Sequence, residues 1–435
     1  MASQWDVLII GAGVAGLTAG AELAAQGHSV LILEARDRVG GRVWTRHEPE
    51  LSAPVELGAE FIHGQIAATF ELLQEVGKAA LDTSGRRLTL RHGKLQPRTD
   101  GLFEQVQQGL KRFADSGSRD VPFEKFLAEG ERYGISQEAA RIACASVEGF
   151  DAADPAQVST LSIAEEWSTG GMLDAGQFRP SGGYSSVLSA LSGALERRHV
   201  RLQLHTVVQS VTWSHATAEV EAQFLGKPFH AAARACLVTL PLGVLQAGAV
   251  RFTPPLSGKH AAALEGLASG PVLKVVLRFR TAFWQELENG RYRDAGFFHA
   301  PELTFPTFWT ARPVRAPLLN AWVGGPRAAR LAERPVSDVM RAAADDVQAL
   351  FGGHDGELEA AYVHDWSTDP FSRGAYSYVK VGGQHARRDL AAPIHDTLFF
   401  AGEATDAEGG TVTGALNSGT RAARAVHKSL QSRRG

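Results

Sequence analysis

Cysteine is scarce in this chain: Cys144 and Cys236 are the only two among 435 residues, and they lack a Cys-x-x-Cys spacing. The pattern supports neither a disulfide framework nor a structural zinc site, so both thiols are expected to be buried apolar residues in a reducing compartment. No stretch reaches the roughly 18 uninterrupted apolar residues that a membrane-spanning helix requires. We therefore expect a cytoplasmic protein with no membrane or metal partner.

An excess of charge of either sign is also missing. The chain has 44 Lys and Arg against 47 Asp and Glu, a formal net charge of −3, and no long run of like charge. This balance does not favour binding to nucleic acid or to an acidic membrane surface, so a small-molecule partner is expected. With 44% hydrophobic and 21% charged residues, the chain is long enough for two substantial globular domains.

The N-terminal stretch WDVLIIGAGVAGLTAGAELAAQGHSVLILE has the pattern of a dinucleotide-binding βαβ unit. An apolar run over residues 7–10 predicts a strand, and a G-x-G-x-x-G turn then opens a helix predicted over residues 15–26. Backbone N–H groups at the start of that helix would face a pyrophosphate. A second strand over residues 29–33 ends at Glu34, which is placed to accept hydrogen bonds from an adenosine ribose. The glycines of the turn are Gly11, Gly13 and Gly16.

A second glycine pair follows in the segment RVGGR, residues 38–42. Its glycines let the backbone approach a ligand, and Arg42 can neutralise phosphate charge with a planar guanidinium. Together with Glu34 and Arg36, this segment favours FAD over NAD. A glycine-rich turn without a ligand and an NAD-dependent dehydrogenase are the alternatives.

Five further segments resemble, in the same order, those of the flavin-containing amine oxidases, the family of monoamine oxidases, polyamine oxidases and lysine-specific histone demethylases. The resemblance spans nearly the whole chain. It implies an α/β fold with a Rossmann-type FAD-binding domain and an interleaved α+β substrate domain. The segments are VELGAEFIHG (55–64), SGGYSSVL (181–188), GPVLKVVLRF (270–279), DWSTDPFSRGAYSY (365–378) and FFAGEATDAEGGTVTGALNSGTRAA (399–423).

The resemblance also implies how the chain divides between the two domains. Helical spacing in residues 65–150 and strand-like alternation in residues 272–325 agree with a helix-backed sheet that encloses substrate over the flavin. The chain would cross between the domains several times. The expected segments are 1–64, 184–264 and 380–435 for the FAD-binding domain, and 65–183 and 265–379 for the substrate-binding domain.

Several positions match residues that hold the cofactor in family relatives. The glutamate that matches Glu403 binds the ribityl-phosphate part of FAD, and Val208 matches a backbone contact with adenine. A solvated surface acid is the alternative for Glu403. Motifs and resemblance together give these cofactor-binding candidates: Gly11, Gly13, Ala15, Gly16, Glu34, Ala35, Arg36, Gly41, Arg42, Glu60, Phe61, Val208, Gly402, Glu403, Thr411 and Val412.

Lys274 is the strongest chemical candidate. It lies in the apolar run 272–279, where a lysine is costly to bury unless its ammonium has a partner or a function. In relatives, the matching lysine lies near flavin N5 through a water and is linked to reoxidation by oxygen. A lysine whose side chain reaches solvent is the alternative.

Aromatic residues are the candidates for the substrate pocket. By resemblance, Tyr376 is one wall of the aromatic sandwich that guides the amine to the flavin, Trp366 packs nearby, and Trp309 is a candidate to line the same cavity. Ordinary core packing is the alternative for all three. Ala375 stands where monoamine oxidases have the cysteine that bonds the flavin, so FAD is expected to be noncovalent. Thr411 stands where those enzymes have the second sandwich tyrosine, and is a candidate for substrate contact.

Polar candidates for the amine are fewer. His63, in the segment FIHG, resembles a histidine of animal polyamine oxidases that faces the substrate amine, with a purely structural histidine as the alternative. Four acids further along the chain could bind distal ammonium groups of the substrate, but acids on a helical surface are commonly solvated. These acids are Glu148, Asp151, Glu165 and Glu166.

These residues predict an FAD-dependent amine oxidase that oxidises a C–N bond of a polyamine-like or secondary amine. Hydride would pass to flavin N5, the imine would be hydrolysed, and oxygen would be reduced to hydrogen peroxide. The reacting amine must be neutral, and deprotonating a group of pKa near 10 at pH 7 costs roughly 4 kcal/mol. His63 is the candidate proton acceptor. A desaturase or protoporphyrinogen-oxidase-like enzyme, and a flavin-binding protein without turnover, are the alternatives.

Overall fold

Two large sheets carry the architecture of the chain. A computed structural model describes residues 5–64, 66–98, 101–168, 176–354, 356–407 and 409–433. Within them, one sheet has eight strands and the other seven.

The strands are β1 (Trp5–Ile10), β2 (Val30–Leu33), β3 (Thr45–Arg46), β4 (Val55–Glu56), β5 (Ile62–His63), β6 (Ala80–Asp82), β7 (Arg86–Arg91), β8 (Lys94–Pro97), β9 (Gln177–Pro180), β10 (Arg201–Gln203), β11 (Thr206–Ser214), β12 (Thr217–Phe224), β13 (Lys227–Val238), β14 (Arg251–Thr253), β15 (Leu267–Gly270), β16 (Val272–Phe279), β17 (Ala295–His299), β18 (Thr307–Thr310), β19 (Leu318–Gly324), β20 (Leu358–Val363), β21 (Tyr376–Val379) and β22 (Leu398–Phe400).

The helices are α1 (Val14–Ala25), α2 (Ala67–Glu75), α3 (Gly101–Asp115), α4 (Phe123–Ala128), α5 (Gln137–Gly149), α6 (Thr160–Ser168), α7 (Ser185–Arg197), α8 (Leu242–Gln246), α9 (Lys259–Gly266), α10 (Leu287–Gly290), α11 (Gly325–Ala332), α12 (Val336–Leu350), α13 (Ala386–Ala391) and α14 (Val412–Ser432). Short 3-10 turns span Gly130–Tyr133, Phe283–Gln285 and Glu403–Thr405.

The eight-stranded sheet contains the predicted βαβ unit. Its order is β10-β2-β1-β13-β12-β11-β14, with β22 also paired to β13, and β1 runs parallel to both β2 and β13. Alternate residues of β1 point to opposite faces of the sheet, so Val7 and Ile9 pack in the cluster that contains residues of α1 and α14, whereas Leu8 and Ile10 pack on the other side. The strand–turn–helix–strand prediction is therefore confirmed.

Two glycines let the first helix sit close to its neighbours. A Cβ on Gly16 would lie 2.0 Å from the carbonyl oxygen of Gly11, and a Cβ on Gly419 would lie 2.5 Å from the carbonyl oxygen of Ala15. Only residues without a side chain permit these approaches. The turn before α1 and the crossing of α1 with α14 both depend on them.

The seven-stranded sheet confirms the sheet predicted for residues 272–325. Its order is β20-β16-β19-β18-β17-β7-β8, and β16 pairs antiparallel with β19 and β20. Apolar residues of β16 and β19 pack in one cluster with α11 and α12 on one face. That packing leaves the other side chains of β16, Lys274 among them, to face away from these helices.

Residues 65–150 depart in part from the helical expectation. The helices α2 and α3 are present, but three strands, β6 to β8, lie between them. The hairpin of β7 and β8 turns at His92 and Gly93, which both have positive φ, and it buries Leu88 and Leu95. Positive φ at two successive central residues is the geometry of a tight two-residue hairpin turn, a signal that the helical spacing on either side obscured.

The cysteines are both free thiols. Cys236 is buried in β13, as expected, but Cys144 in α5 is only half-buried, so the expectation of two buried thiols is wrong for Cys144. None of the helices formed by the described residues combines the length and apolar character needed to cross a bilayer.

The two large sheets draw on different parts of the chain. Strands of the eight-stranded sheet all come from residues 1–64, 184–264 and 380–435, and strands of the seven-stranded sheet from 65–183 and 265–379. The small sheet of β5, β6 and β9 joins one strand of the first set to two of the second. The domain boundaries themselves stay a prediction.

Candidate active site

A continuous cavity of about 1450 Å³ extends from the turn after β1 to the seven-stranded sheet. It is larger than the ~300–1,000 Å³ typical of a site for one drug-sized ligand. All the predicted cofactor, substrate and catalytic residues line it except Gly16, which lies beneath the turn. The fold thus brings together residues that are up to about 400 positions apart in the sequence.

The end of the cavity at the βαβ unit has the features that a dinucleotide needs. The helix α1 begins after Gly13 with no side-chain cap, and a Cβ on Gly13 would meet no heavy atom within 4 Å. Gly13, Val14 and Ala15 line the cavity here, where a pyrophosphate would accept hydrogen bonds from the first N–H groups of α1. Glu34 is 6% exposed and accepts hydrogen bonds from the backbone N–H groups of Ala12 (2.8 Å) and Arg36 (2.9 Å), which orient its carboxylate.

Arg36 contributes less charge to this end than the sequence suggested. Its guanidinium donates two hydrogen bonds of 2.8 Å to Asp369 and a third, of 3.0 Å, to Ser372. Burial alone would raise the pKa of Asp369, but hydrogen bonds from His364 and Arg36 hold it well below its usual range. The charge of Arg36 is thus balanced inside the protein, and the residue lines the cavity as part of an ion pair.

Arg42 and Glu403 form the polar centre of the cavity. Arg42 Nη1 donates to the carbonyl oxygen of Ala375 (2.7 Å) and to Glu403 Oε1 (2.8 Å), and Ser377 Oγ donates to Glu403 Oε2 (2.6 Å). Burial alone would raise the pKa of Glu403, but the charges of Arg42 and Arg387 hold it below its usual range. Glu403 is 6% exposed, so the alternative of a solvated surface acid is wrong.

The residues from the βαβ turn to Glu403 fit an extended dinucleotide such as FAD. They provide free backbone donors at one end, a ribose-binding acid next to them and a buried ion pair further along. The turn before α14 also lines the cavity, and there Thr411 Oγ1 accepts a hydrogen bond from the N–H of Gly414 (2.9 Å) and caps α14. A contact of Thr411 with substrate stays a prediction.

Lys274 lies at the centre of a buried polar network. It is 4% exposed and its Nζ donates to the carbonyl oxygen of Gly58 (2.8 Å) and to Glu60 Oε2 (3.2 Å). Glu60 Oε1 also accepts from Arg179 Nε and Trp309 Nε1, each at 3.0 Å. Burial alone would raise the pKa of Glu60, but the charges of Arg179 and Lys274 hold it below its usual range. The alternative of a lysine that reaches solvent is therefore wrong.

The aromatic candidates Trp366 and Trp309 are buried, Tyr376 is half-buried, and their polar atoms are hydrogen-bonded. Tyr376 Oη donates to the carbonyl oxygen of Phe150 (2.5 Å), and Trp366 Nε1 donates to that of Leu57 (3.0 Å). A Cβ on Gly410 would lie 3.3 Å from the Tyr376 ring, so the turn before α14 borders this side chain. Tyr376 and Trp366 are thus fixed in orientation at the border of the cavity, where they also pack as core residues.

His63 has a neutral imidazole at pH 7. Burial lowers the pKa of His63 to about 4. The centroid of its ring lies 6.3 Å from that of Phe61 and 5.6 Å from that of Phe150. Its Nδ1 is buried and has no hydrogen-bond partner among the described residues. The imidazole can therefore give or accept a hydrogen bond in the cavity, but it does not hold a proton there near neutral pH.

Two of the four acids named from the sequence line the cavity, namely Asp151 and Glu166. Glu165 is exposed and Glu148 lies outside the lining. Asp151 is 7% exposed and neither of its carboxyl oxygens has a hydrogen-bond partner among the described residues. Burial and the nearby charge of Glu166 hold the pKa of Asp151 well above its usual range. Helical spacing could not select these two acids, because Asp151 follows the last turn of α5.

The end of the cavity at the hairpin of β7 and β8 is basic, which the sequence analysis did not foresee. Arg87 lies over the ring of Phe297 (5.5 Å), and Arg98 Nη1 is 3.2 Å from His299 Nε2. Burial and the charges of Arg98 and Arg87 lower the pKa of His299 to about 3. Arg141 on α5 also lines this end. The alternating pattern RRLTLR of β7 places Arg87 and Arg91 on one face, and was the available signal.

Comparisons with known proteins agree with this geometry. Lysine-specific histone demethylase 2 of Homo sapiens is 30% identical over 459 residues, and the demethylase 1 homolog 3 of Arabidopsis thaliana is 29% identical over 502 residues. Each match covers 96% of this chain but only 53% and 29% of those relatives, so the chain spans about half of their length or less. Polyamine oxidase 4 of Oryza sativa subsp. japonica is 26% identical, with 100% of this chain and 91% of that protein covered.

Solved structures share the fold. Putrescine oxidase in its wild-type form bound to putrescine superposes with a TM-score of 0.81 at 22% identity, over 97% of this chain and 98% of that one. Cyclohexylamine oxidase from Brevibacterium oxydans IH-35A has a TM-score of 0.80 at 23% identity, over 99% and 100% of the two chains. Residues 14–427 match the family described as flavin containing amine oxidoreductase, and the chain therefore belongs to that family.

Proposed function

We propose that the protein is an FAD-dependent amine oxidase that oxidises a C–N bond of a polyamine-like or secondary amine. The observation that carries the proposal is a single cavity, which joins the dinucleotide end at Gly13 and Glu34 to the buried Lys274 and to the side chains of Tyr376 and His63. The alternative functions, those of a desaturase or a protoporphyrinogen-oxidase-like enzyme, would not require a buried lysine beside an aromatic pocket for an amine.

When bound, FAD would supply the hydride acceptor for the amine and the route by which electrons reach oxygen. The protein supplies the environment for this chemistry: Tyr376 and Trp366 present apolar faces that desolvate an amine, and the neutral imidazole of His63 offers it a hydrogen bond. Lys274, held by Glu60 and Gly58, provides a fixed positive charge and N–H donor in the cavity. Ala375 has no nucleophilic atom, so we propose noncovalent FAD.

The polyamine-like preference has support at the flavin side of the cavity. Asp151 and Glu166 place carboxyl groups near Tyr376, where a positively charged amine would enter. Thr411 gives less aromatic surface for a flat monoamine than a tyrosine would. Polyamine oxidase 4 of Oryza sativa subsp. japonica, a relative named above, points the same way.

A second substrate class is favoured by the basic end of the cavity. Arg87 and Arg141 would attract a carboxylate and repel a second ammonium group. An amine that carries an anionic group far from the reacting nitrogen would suit both the aromatic pocket and the basic end of the cavity. We therefore propose amines of this class, such as an N-alkyl amino acid, as the second candidate.

A panel of amines mixed anaerobically with the FAD-loaded protein tests the proposal. Spermine, spermidine and their acetylated forms are compared with benzylamine, phenylethylamine and an N-alkyl amino acid at the flavin absorbance, and oxygen is then admitted. We expect polyamines to bleach the flavin faster than benzylamine and oxygen to restore the colour. If no amine bleaches the flavin, the proposal of an amine oxidase is wrong and a flavin-binding protein without turnover is favoured. Fastest reduction by the N-alkyl amino acid would instead select the second class.

We propose a cytoplasmic location, because two distant free cysteines are typical of a reducing compartment. We further propose that the partners are a small-molecule amine and oxygen, and not nucleic acid or a membrane, because the charge of the chain is nearly balanced.

A further inference from the structure

Three charged side chains, Glu60, Lys274 and Arg179, form a buried charge cluster beside the cavity. Glu60 and Lys274 line the cavity, whereas Arg179, on β9, contacts Glu60 without lining the cavity itself. Each of the three side chains is at most 12% exposed. Lys274 and Arg179 each contribute a positive charge and Glu60 a negative one, so the charge cluster has one net positive charge.

Within the charge cluster, Glu60 is bound more closely to Arg179 than to Lys274. Arg179 places Nε 3.0 Å and Nη2 2.9 Å from Glu60 Oε1, whereas Lys274 Nζ makes one contact of 3.2 Å with Glu60 Oε2. Burial alone would raise the pKa of Glu60, but the charge of Arg179, followed by that of Lys274, holds it below its usual range. Arg179 therefore balances most of the negative charge of Glu60, and the positive charge of Lys274 is left uncancelled in the cavity.

Arg179 is held in place by further contacts. Its guanidinium donates to the carbonyl oxygens of Thr310 (2.9 Å) and Arg312, and it lies over the ring of Phe61, 4.5 Å from the ring centroid. Burial lowers the pKa of Arg179, but the charge of Glu60 opposes this effect, and a guanidinium stays protonated at neutral pH. Arg179 is therefore a permanent positive charge in a fixed position.

Net positive charge in a buried cluster is costly unless negative charge develops beside it during function. Reduced FAD carries more negative charge than oxidised FAD, so positive charge near the cofactor raises its reduction potential. Oxygen also gains negative charge when it accepts electrons. The charge cluster is thus suited to a cavity in which electrons pass from FAD to oxygen.

We propose that Arg179 is a positioning residue that keeps the positive charge of Lys274 available for the reaction with oxygen, by taking up the charge of Glu60. In that reaction, reduced FAD gives up two electrons and two protons, and oxygen becomes hydrogen peroxide. An uncancelled Lys274 stabilises the negative charge that develops on oxygen. The inference rests on the proposed function, because that function gives Lys274 its part in the reaction with oxygen.

Glu56 is an acid near the charge cluster, and its protonation decides the pH of the experiment. It is buried, and its carboxyl group accepts hydrogen bonds from the N–H of Tyr184 (2.6 Å) and from Thr45 Oγ1 (2.9 Å). Burial raises the pKa of Glu56 to about 7. At pH 6 roughly nine tenths of Glu56 is therefore protonated, and measurements at that pH report the charges of the charge cluster alone.

The experiment changes the net charge of the charge cluster and measures the midpoint reduction potential of bound FAD. FAD-loaded variants are equilibrated with reference dyes at pH 6, so that no amine is needed. Arg179→Met removes the net positive charge, and the equilibrium constant for reduction of FAD should fall about tenfold, which is about 30 mV for a two-electron couple. Arg179→Lys keeps the charge and should restore most of the natural potential.

A double variant separates the charge of Arg179 from its structural contacts. Arg179→Met combined with Glu60→Gln removes one positive and one negative charge, so Lys274 is again uncancelled and the potential should return to that of the natural protein. Reoxidation by oxygen after reduction with dithionite should follow the same order, slow in Arg179→Met and restored in the double variant. Arg278→Met is the matched control, because Arg278 lies on the same strand as Lys274 but is ion-paired with the exposed Glu50 outside the cavity lining.

The outcomes separate the inference from the proposed function. An unchanged potential in Arg179→Met would overturn the inference, and so would a lowered potential that the double variant does not restore. Both outcomes leave amine oxidation by the natural protein intact, because neither measurement uses an amine. Failure of every amine to reduce the flavin of the natural protein would instead overturn the proposed function, while the dye titration would still decide whether Arg179 governs the charge beside FAD.

Discussion

Glu60 and Asp151 are both buried carboxyl groups that line the same cavity, but their surroundings differ. Glu60 accepts hydrogen bonds from Lys274, Arg179 and Trp309, and the two cations hold its pKa below the usual range. Asp151 has no hydrogen-bond partner among the described residues, and burial with a neighbouring acid holds its pKa well above that range. One carboxyl is therefore a fixed charge, and the other is a group that can take up or release a proton.

The difference shows how one cavity separates two tasks. Around Glu60, the network orients Lys274 and Trp309 and leaves little freedom for proton transfer. Around Asp151, burial and the neighbouring acid Glu166 disfavour the charged form, so the protonation state is sensitive to what enters the cavity. Pairs of titratable groups with pKa values shifted in opposite directions are characteristic of active sites, because each environment suits one role.

The largest effect on stability is expected when Glu60, the carboxyl paired with two cations, is replaced by a neutral side chain. Glu60→Gln leaves the buried cations of Arg179 and Lys274 without their counter-charge, and we expect the free energy of unfolding to fall by about 3 kcal/mol or more. Chemical denaturation of the FAD-loaded protein measures it, with Glu71→Gln, at an exposed acid of α2, as control. Equal stability of the two variants would show that Glu60 is not the centre of the network.

Removal of one cation should have a smaller effect on stability and a clear effect on the reaction with oxygen. Lys274→Met leaves Glu60 paired with Arg179, so FAD should remain bound, but reoxidation by oxygen should slow at least tenfold, about 1.4 kcal/mol of barrier. Stopped-flow mixing of the reduced enzyme with oxygen measures the rate, and Lys94→Met, a change at an exposed lysine, serves as control. An unchanged rate would count against the role of Lys274.

Replacement of Asp151 by a neutral side chain should raise the free energy of unfolding, in contrast to replacement of Glu60. A carboxyl whose pKa is raised in the folded state binds more protons folded than unfolded, so its contribution to stability falls as the pH rises above the unfolded value near 4. We expect Asp151→Asn to be more stable than the natural protein at pH 8, with the difference disappearing near pH 4. Denaturation at several pH values, with the exposed Asp115→Asn as control, tests the trend. Lower stability of Asp151→Asn at pH 8 would contradict it.

The smallest effect concerns substrate choice. His63→Ala removes one neutral hydrogen-bonding group, worth about 1 kcal/mol, and should narrow the advantage of polyamines over benzylamine about fivefold. Rates of anaerobic flavin reduction by the two amines measure the ratio. His230→Ala, at an exposed histidine of β13, should leave the ratio unchanged. If both histidine variants keep the natural ratio, His63 has a structural role only.

Much of the cofactor end could be predicted from the sequence because its signals are local. The strand, the glycines and Glu34 lie within about thirty residues, and the folded unit matches them to within a residue or two at the element ends. Lys274 could also be selected, since a single charge in an apolar strand implies a buried partner. Which partner it has could not be predicted, because Glu60 and Arg179 reach it from distant parts of the chain.

The sequence by itself determined the dinucleotide unit, the family segments and the apolar strand that carries Lys274. Only the tertiary structure decided that Glu60 is neutralised by two cations, that Asp151 faces a second acid, Glu166, and that β7 brings arginines to the far end of the cavity. The reason is physical: hydrogen-bonded turns and alternating strands depend on neighbours in sequence, whereas the charge of a buried group depends on which distant side chains surround it and on how much water they exclude.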